Sequence, residues 1–419
     1  MQATKRFFYG WVIVAAGGMV LAVGLGLFIS TFSVFVIPVC DSLGFSRSQF
    51  TLNRTVLTLV SACAIPLYGK VVARIGIKKT LLIGAFTLAM VTFAYSFASE
   101  LWHFYALAVV NGIFFNALNF MVIGMLINRW FSDQKGLATG LAFSGSGLGG
   151  AIMIPVISRA IEVAGWRFAY RLMGILGLAI LLLVILLFIQ EGPEAMGLKP
   201  YTANKTKKDD TNKTKGPVWN LTLGESLKTS RFWLLSAGFF LISAFAAATN
   251  THSAPYFADI GYPTAAVSAI VSLLMVILTV GKILLGAVYD RFGTMTGNLV
   301  IAVCSLVFPV AALFAHIPAV PWMYAVSLGI ASCGFSVPVS ILTTQYFGTK
   351  DYPALFGVFT MITTLGPAIS IPAMGAVYDR VGSYRPAWIA LLVFSAIVTV
   401  CMVAAEATYR KSVHAKDAP

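Results

Sequence analysis

Charge is the first thing this sequence is short of. Charged residues make up 11% of its 419 residues, against about 25% in a soluble domain. Hydrophobic residues make up 58%, and the mean hydropathy is +0.86. So few charges cannot cover that much apolar surface in water. An ordinary cytosolic enzyme, a nucleic-acid binder and a disordered chain are excluded. Cysteine is also scarce. Cys40, Cys63, Cys304, Cys333 and Cys401 lie in or beside apolar segments, at spacings that match no metal motif. They read as buried thiols, which excludes a disulfide scaffold. No G-x-x-x-x-G-K-[ST] run occurs, so nucleotide-driven chemistry has no support. No Ser/His/acid constellation is apparent. Neither catalysis nor a cofactor nor a metal is expected. Acids are missing from the apolar runs as well: all 15 fall in loops or near the ends of those runs.

What the chain does have is long apolar stretches. They fall near 9–37, 49–73, 79–98, 102–128, 136–161, 168–190, 232–256, 265–288, 297–316, 320–345, 354–378 and 387–406. Crossing a bilayer takes about 20 apolar residues, so these read as twelve transmembrane helices. Lys5 and Arg6 precede the first run as they would a signal, but so many spans follow that a retained first span is expected. Residues 191–230, with KTKKDD and NKTK, read as a flexible, solvated linker. The expected organisation is an N-terminal bundle over 1–190, the linker, a C-terminal bundle over 231–406 and a cytoplasmic tail over 407–419.

Lysine and arginine orient the chain. With both termini in the cytoplasm, 21 of the 29 lie inside and 6 outside, leaving Arg54 and Lys282 within spans. Every outside cation is an arginine. The asymmetry follows the positive-inside rule, and it accounts for a net charge of +14 without invoking nucleic acid.

The halves repeat. Pro38, Gly44, Gly69, Gly76, Gly140, Leu148, Gly149, Ala151, Ile152 and Gly165 recur at a constant shift of 217, as Pro255, Gly261, Gly286, Gly293, Gly357, Leu365, Gly366, Ala368, Ile369 and Gly382. The fold class is therefore an all-α integral membrane protein of two pseudo-symmetric six-helix bundles. Duplicated bundles that tilt about a central site suit a transporter directly.

Two loops carry a motif. Gly69–Lys79 reads GKVVARIGIKK and Gly286–Gly293 reads GAVYDRFG. Both resemble the cytoplasmic loop signature of the major facilitator superfamily. The second copy keeps Asp290 and Arg291, but the first has Ala73 at the acid's place. Gly69, Gly76, Gly286, Asp290, Arg291 and Gly293 are the expected gating residues. A narrower resemblance covers nearly the whole chain. It rests on YGW (Tyr9–Trp11), FSRSQF (Phe45–Phe50), NRWFSDQKGLATGLAFSGSGLGG (Asn128–Gly150) and HSAPYFADIG (His252–Gly261). These are similar to the monocarboxylate porters and the related oxalate–formate antiporters. The small residues Gly140, Ser144, Gly145, Gly147 and Gly149 fit close packing of the fifth span.

Lys282 is the leading candidate for the site. It lies eight residues before Asp290, hence about 12 Å along the helix at about 1.5 Å per residue. An ammonium at that depth costs at least about 2.5–3.5 kcal/mol on insertion scales. The resemblance implies that a cation here binds the substrate carboxylate. The alternative is snorkelling to the interface, over a long reach. The porters often carry an aspartate where this chain has Leu278. The dicarboxylate antiporters carry a lysine where it has Thr363. One central cation points to a monocarboxylate.

Arg54 sits two turns inside the outer end of the second span, and either snorkels outward or attracts anions. His252, in an H-x-x-P arrangement with Pro255, either couples protons or is a bonded helix-end histidine. Phe28, Phe32 and Phe35 share a face of the first span, Asn116 and Phe120 one of the fourth with Asn119 beside them, and Ser332 and Ser336 one of the tenth. The resemblance puts these around the substrate; ordinary helix packing is the other reading. Buried asparagines such as Asn111, Asn116 and Asn119 need partners.

The expectation is a secondary transporter of a small organic monocarboxylate, by proton symport or by antiport. The alternatives are a dicarboxylate exchanger using Arg54 as second cation, or a transceptor that binds without net flux. The implied partners are a carboxylate anion, protons and the lipid bilayer. A monomer in a bacterial inner membrane is the expected setting.

Overall fold

Why the apolar runs become helices follows from the solvent. In hydrocarbon each backbone N–H and C=O needs a partner within its own segment. The structure, a computed structural model, describes residues 8–202 and 220–417. Among the described residues the only strand-like pairing is an isolated bridge between Phe131 and Tyr201.

Among the described residues, nine helices are long and apolar enough to cross a membrane. They are Gly10–Leu43, Gln49–Ile75, Ile77–Tyr95, Leu101–Trp130, Lys135–Leu187, Ser230–Asp259, Ala269–Leu313, Tyr352–Tyr378 and Arg385–Val413. Two of these are double. Lys135–Leu187 breaks at Gly165 (φ 80°, ψ 165°), and the helix Thr264–Leu313 breaks at Gly293 (φ 82°, ψ 177°). Each spans twice. A bent pair, Val320–Phe335 with Val337–Phe347, makes one more. The result is the twelve-span architecture, and spans are numbered below in chain order.

The repeat is visible in the backbone. The shift of 217 relates Gly165 and Gly293 to Gly382 and Gly76, which have φ of 69° and 86°. These left-handed turns are open only to a residue without Cβ. Pro38 and Pro255 lie inside matching helices, as do Pro155 and Pro372.

The chain divides into two compact units, Met1–Thr206 and Lys207–Pro419. In the first, span one packs on span five through bare backbone. A Cβ on Gly145 would lie 2.1 Å from the Gly18 carbonyl oxygen, and one on Gly149 2.2 Å from that of Ala22. In the second, span seven packs on span eleven in the same way. A Cβ on Gly366 would meet the Phe240 carbonyl at 2.8 Å, and Ser370 Oγ donates to the Ala244 carbonyl at 2.7 Å.

Two expectations need correction. The first concerns the linker over 191–230. Its centre, 203–219, lies outside the described residues, but its flanks are packed rather than solvated. Tyr201 N donates to the Trp130 carbonyl (2.8 Å), and the ring lies among Phe8, Trp11 and Phe131. Leu221 N donates to the Phe347 carbonyl (2.9 Å), and Leu223 N to Asp351 Oδ2 (3.0 Å). The flanks satisfy helix ends that would otherwise be open. Span twelve runs on as one helix, Arg385–Asp417, into the segment from 407. The second correction concerns the acids, expected only in loops or near the ends of the apolar runs. Glu406 lies inside the helix and is 2% exposed. The Tyr346 hydroxyl and Arg410 Nε (2.9 Å) both donate to its carboxylate, which is what makes a buried acid tolerable.

Candidate functional site

In the second unit Lys282 is 3% exposed, in the middle of span eight. Span ten lies against the same turn. Cys333 Sγ donates weakly to the Leu278 carbonyl (3.5 Å), and a Cβ on Gly281 would lie 3.0 Å from it. The Lys282 ammonium and the Cys333 thiol are close enough to interact electrostatically.

Span ten is broken at this level. A 3-10 turn, Cys333–Phe335, separates its halves, which bend by 44°. Pro338 lies in the first turn of the second half. Ser336 Oγ donates to the Cys333 carbonyl (3.1 Å), while Ser332 Oγ is buried without a hydrogen-bond partner among the described residues. Thr363 donates its hydroxyl to the Thr360 carbonyl (2.9 Å).

Span four breaks at the equivalent place. A 3-10 turn, Asn116–Leu118, ends at Asn119, whose Oδ1 accepts from Phe120 N (2.7 Å) and caps the next helix. The shift of 217 carries Asn116–Leu118 onto Cys333–Phe335 and Asn119 onto Ser336. The residues singled out on spans four and ten thus mark two matching helix breaks. Asn116 is fully engaged in packing: Ser61 Oγ donates to its Oδ1 (3.0 Å), and its Nδ2 donates to the carbonyls of Ser61 (3.1 Å) and Gly112 (3.3 Å). It ties span two to span four. Phe120 packs on Phe143.

The three phenylalanines of span one turn into the first unit. Phe28 packs where a side chain on Gly177 would stand, Phe35 stacks on Tyr170 at 3.9 Å, and Phe32 stacks on Phe50 at 5.4 Å. All three line one cavity with Arg54, whose guanidinium carbon is 5.8 Å from the centre of the Phe32 ring. Sequence spacing treats Arg54 and the phenylalanines separately; the fold brings them together. It adds Asn53, Tyr95, Asn111 and Tyr170, which helical spacing along single spans does not connect.

His252 is held at both ring nitrogens, by the Ile371 carbonyl at Nε2 (3.1 Å) and the Tyr384 hydroxyl at Nδ1 (3.1 Å). A carbonyl can only accept, so Nε2 carries the hydrogen in the bond to Ile371. The ring clamps span seven to span eleven.

The two motif loops differ. At the first, Glu191 supplies the acid that Ala73 does not: its carboxylate lies on Gly76, where a Cβ would meet it at 2.2 Å, and 3.8 Å from Arg129. Gly69 lies inside the helix before that turn. At the second, Gly286 lies in the helix ahead of exposed Asp290 and Arg291, and Arg291 lies over the Phe292 ring (5.4 Å). The neighbouring Tyr289 hydroxyl donates to Asn298 Oδ1 (2.7 Å), and Asn298 Nδ2 donates to the Tyr346 hydroxyl (3.3 Å). Tyr346 in turn donates to Glu406. This chain of bonds joins four spans of one unit, and no local sequence pattern announces it.

Comparison with known proteins gives four findings. The family model described as Major Facilitator Superfamily matches residues 14–330. Monocarboxylate transporter 12 of Mus musculus is 24% identical over 416 residues, covering 93% of this chain and 84% of the relative. The oxalate:formate antiporter of Oxalobacter formigenes is 27% identical over 359 residues, covering 81% and 79%. Among solved structures, the transporter FucP in its outward conformation superposes with a TM-score of 0.68 at 15% identity, over 94% of this chain and 98% of that one.

Proposed function

This chain belongs to the major facilitator superfamily, and from that premise we propose that it carries a small organic monocarboxylate, with Lys282 as the group that holds the carboxylate. That it is a multi-pass membrane transporter and not an enzyme follows from the family and its relatives. The observation that carries the substrate assignment is an ammonium 3% exposed in mid-span, beside a helix break. A cation held there is costly. A bound carboxylate offsets that cost, so the loaded carrier reorients more readily than the empty one. Ser332 and Ser336, at the break, are proposed to orient the acid. Asn119 and Phe120 are proposed to serve the corresponding break of span four, with Asn116 as a positioning residue. Names borne by relatives support the same reading.

Transport runs by alternating access. It is coupled to a proton or to exchange of a second anion, with both termini cytoplasmic. The six loop residues singled out by sequence are proposed to gate it. A dicarboxylate exchanger is the second reading, supported by the similarity to an oxalate:formate antiporter and by the second cation, Arg54. Proteoliposome uptake of radiolabelled lactate, with and without an inward proton gradient, distinguishes these. Gradient-driven uptake competed by monoacids is the expected result. Uptake that needs internal anion means exchange. Competition by oxalate but not by lactate or formate means the dicarboxylate reading. No lactate flux and no competition by any acid overturns the carboxylate assignment.

A further inference from the structure

Spans eight and ten meet along a seam with a glycine on each side. A Cβ on Gly329 of span ten would lie 2.7 Å from Ile277 Cγ2 and 3.1 Å from the Leu274 carbonyl oxygen of span eight. One turn further along the roles reverse. A Cβ on Gly281 of span eight would lie 3.0 Å from Cys333 Sγ and 3.9 Å from Ile330 Cα of span ten. Packed carbon atoms sit about 3.5–4.0 Å apart, so a methyl group at either place presses on the facing span.

Cys333 closes the seam at the level of Lys282. It is fully buried and opens the 3-10 turn Cys333–Phe335. Its thiol has two acceptors, the Leu278 carbonyl of span eight (3.5 Å) and the Gly329 carbonyl one turn back on its own span (3.4 Å). In a regular helix the Leu278 carbonyl is the one that receives the Lys282 N–H. A carbonyl oxygen has two lone pairs, and the thiol meets the second. The same sulfur interacts electrostatically with the Lys282 ammonium. One side chain thus faces the backbone turn that carries the lysine, the lysine's charged end, and the break that carries Ser332 and Ser336.

We infer that Cys333 is a positioning residue for Lys282. Its thiol ties the break of span ten to the Lys282 turn, and so fixes the ammonium relative to the Ser332 and Ser336 hydroxyls. A helix lacks part of its own hydrogen bonding where it breaks, so contacts across the seam set the level at which its halves stand. The inference rests on the reading of Lys282 as the group that holds the carboxylate. What it adds is that the placement of this charge depends on a side chain of another span.

The test is equilibrium binding of radiolabelled lactate to the full-length protein in nanodiscs, with initial-rate uptake into proteoliposomes for KM and kcat. Cys333→Ala removes the tie without adding bulk. It is expected to weaken binding about three- to tenfold, the size of one net hydrogen bond, and to raise KM by the same factor with little change in kcat. Cys333→Ser keeps a small donor and is expected to restore most of the affinity. Gly281→Ala presses on the sulfur from span eight and is expected to reproduce the loss with Cys333 intact. The deciding comparison is a double-mutant cycle. In a Lys282→Gln background, adding Cys333→Ala is expected to weaken binding less than about twofold further, because the charge it positions is gone. A cysteine that only packs the two spans would cost the same in both backgrounds, and that result overturns the inference. Wild-type affinity in both Cys333→Ala and Gly281→Ala overturns it as well. If Cys333→Ala fails to fold as judged by its melting temperature, Gly281→Ala takes its place in the cycle. Failure of the Lys282 reading shows separately, as wild-type lactate affinity in Lys282→Gln alone.

Discussion

Single side chains here are decided by whether their polar atoms find partners. Asn116 and Glu406 are buried to a similar degree, 1% and 2% exposed, and each is bonded both to another span and within its own. Asn116→Ala strands the buried Ser61 hydroxyl, and is expected to cost about 1–3 kcal/mol, read as a lower melting temperature in detergent. Glu406→Ala is expected to cost a similar amount, because it leaves the buried Tyr346 hydroxyl without its acceptor. Arg410→Ala should cost less than about 1 kcal/mol, since the Arg410 side chain is 58% exposed and its ion pair is solvent-screened. Equal losses for Glu406→Ala and Arg410→Ala would show that the ion pair, not the tyrosine, anchors the acid. Lys282 is legible in the sequence because a cation inside an apolar run stands out in one dimension. The Arg54 cavity is not, because its walls come from spans one, two, three, four and six, and nothing in linear spacing reports which faces converge.

Helices are decided by what their backbones can approach. Span five lies on span one with carbonyl oxygens where side chains would be. Gly145→Ala is therefore expected to lower the melting temperature sharply, its Cβ lying 2.1 Å from the Gly18 carbonyl oxygen. Gly150→Ala should be milder, since its Cβ would meet only the Ser30 side chain, at 3.3 Å. The glycine run of span five already says that something packs closely; only the fold says which glycine faces which carbonyl. The helix breaks divide along the same line. Ser336-Val337-Pro338 carries a proline that favours a new helix start, whereas Asn116–Leu118 has neither glycine nor proline, and its turn depends on Asn119 capping the next helix. The short helix Leu223–Leu227 is a local case. Hydrogen bonds from the Thr222 backbone N–H and hydroxyl hold the Glu225 carboxyl below its ordinary value. A depressed carboxyl stabilises above the ordinary pKa of about 4.3 and stops doing so as pH falls through the lower folded value. Amide protection across Leu223–Leu227, corrected for intrinsic exchange, is expected to hold at neutral pH and fall in acid. Protection independent of pH would contradict the capping role.

For the whole molecule, the duplicated sequence and the duplicated backbone agree. The repeat legible as shared glycines and prolines returns as shared left-handed turns at Gly76 and Gly293, and as paired 3-10 breaks in spans four and ten. Twelve apolar runs need only composition and order, which is why the architecture is legible in the sequence. The linker flanks were not, because their order comes from backbone bonds to Trp130 and Phe347 rather than from apolar side chains of their own. The central claim is that the buried ammonium of span eight holds the transported carboxylate. Its most direct measurement is initial-rate uptake of radiolabelled lactate into proteoliposomes by the wild type, Lys282→Gln and Lys282→Arg at matched reconstitution. The account predicts a loss of at least about tenfold for Lys282→Gln, the value of one hydrogen bond to a charged group, with partial retention in Lys282→Arg. Wild-type uptake by Lys282→Gln would contradict it.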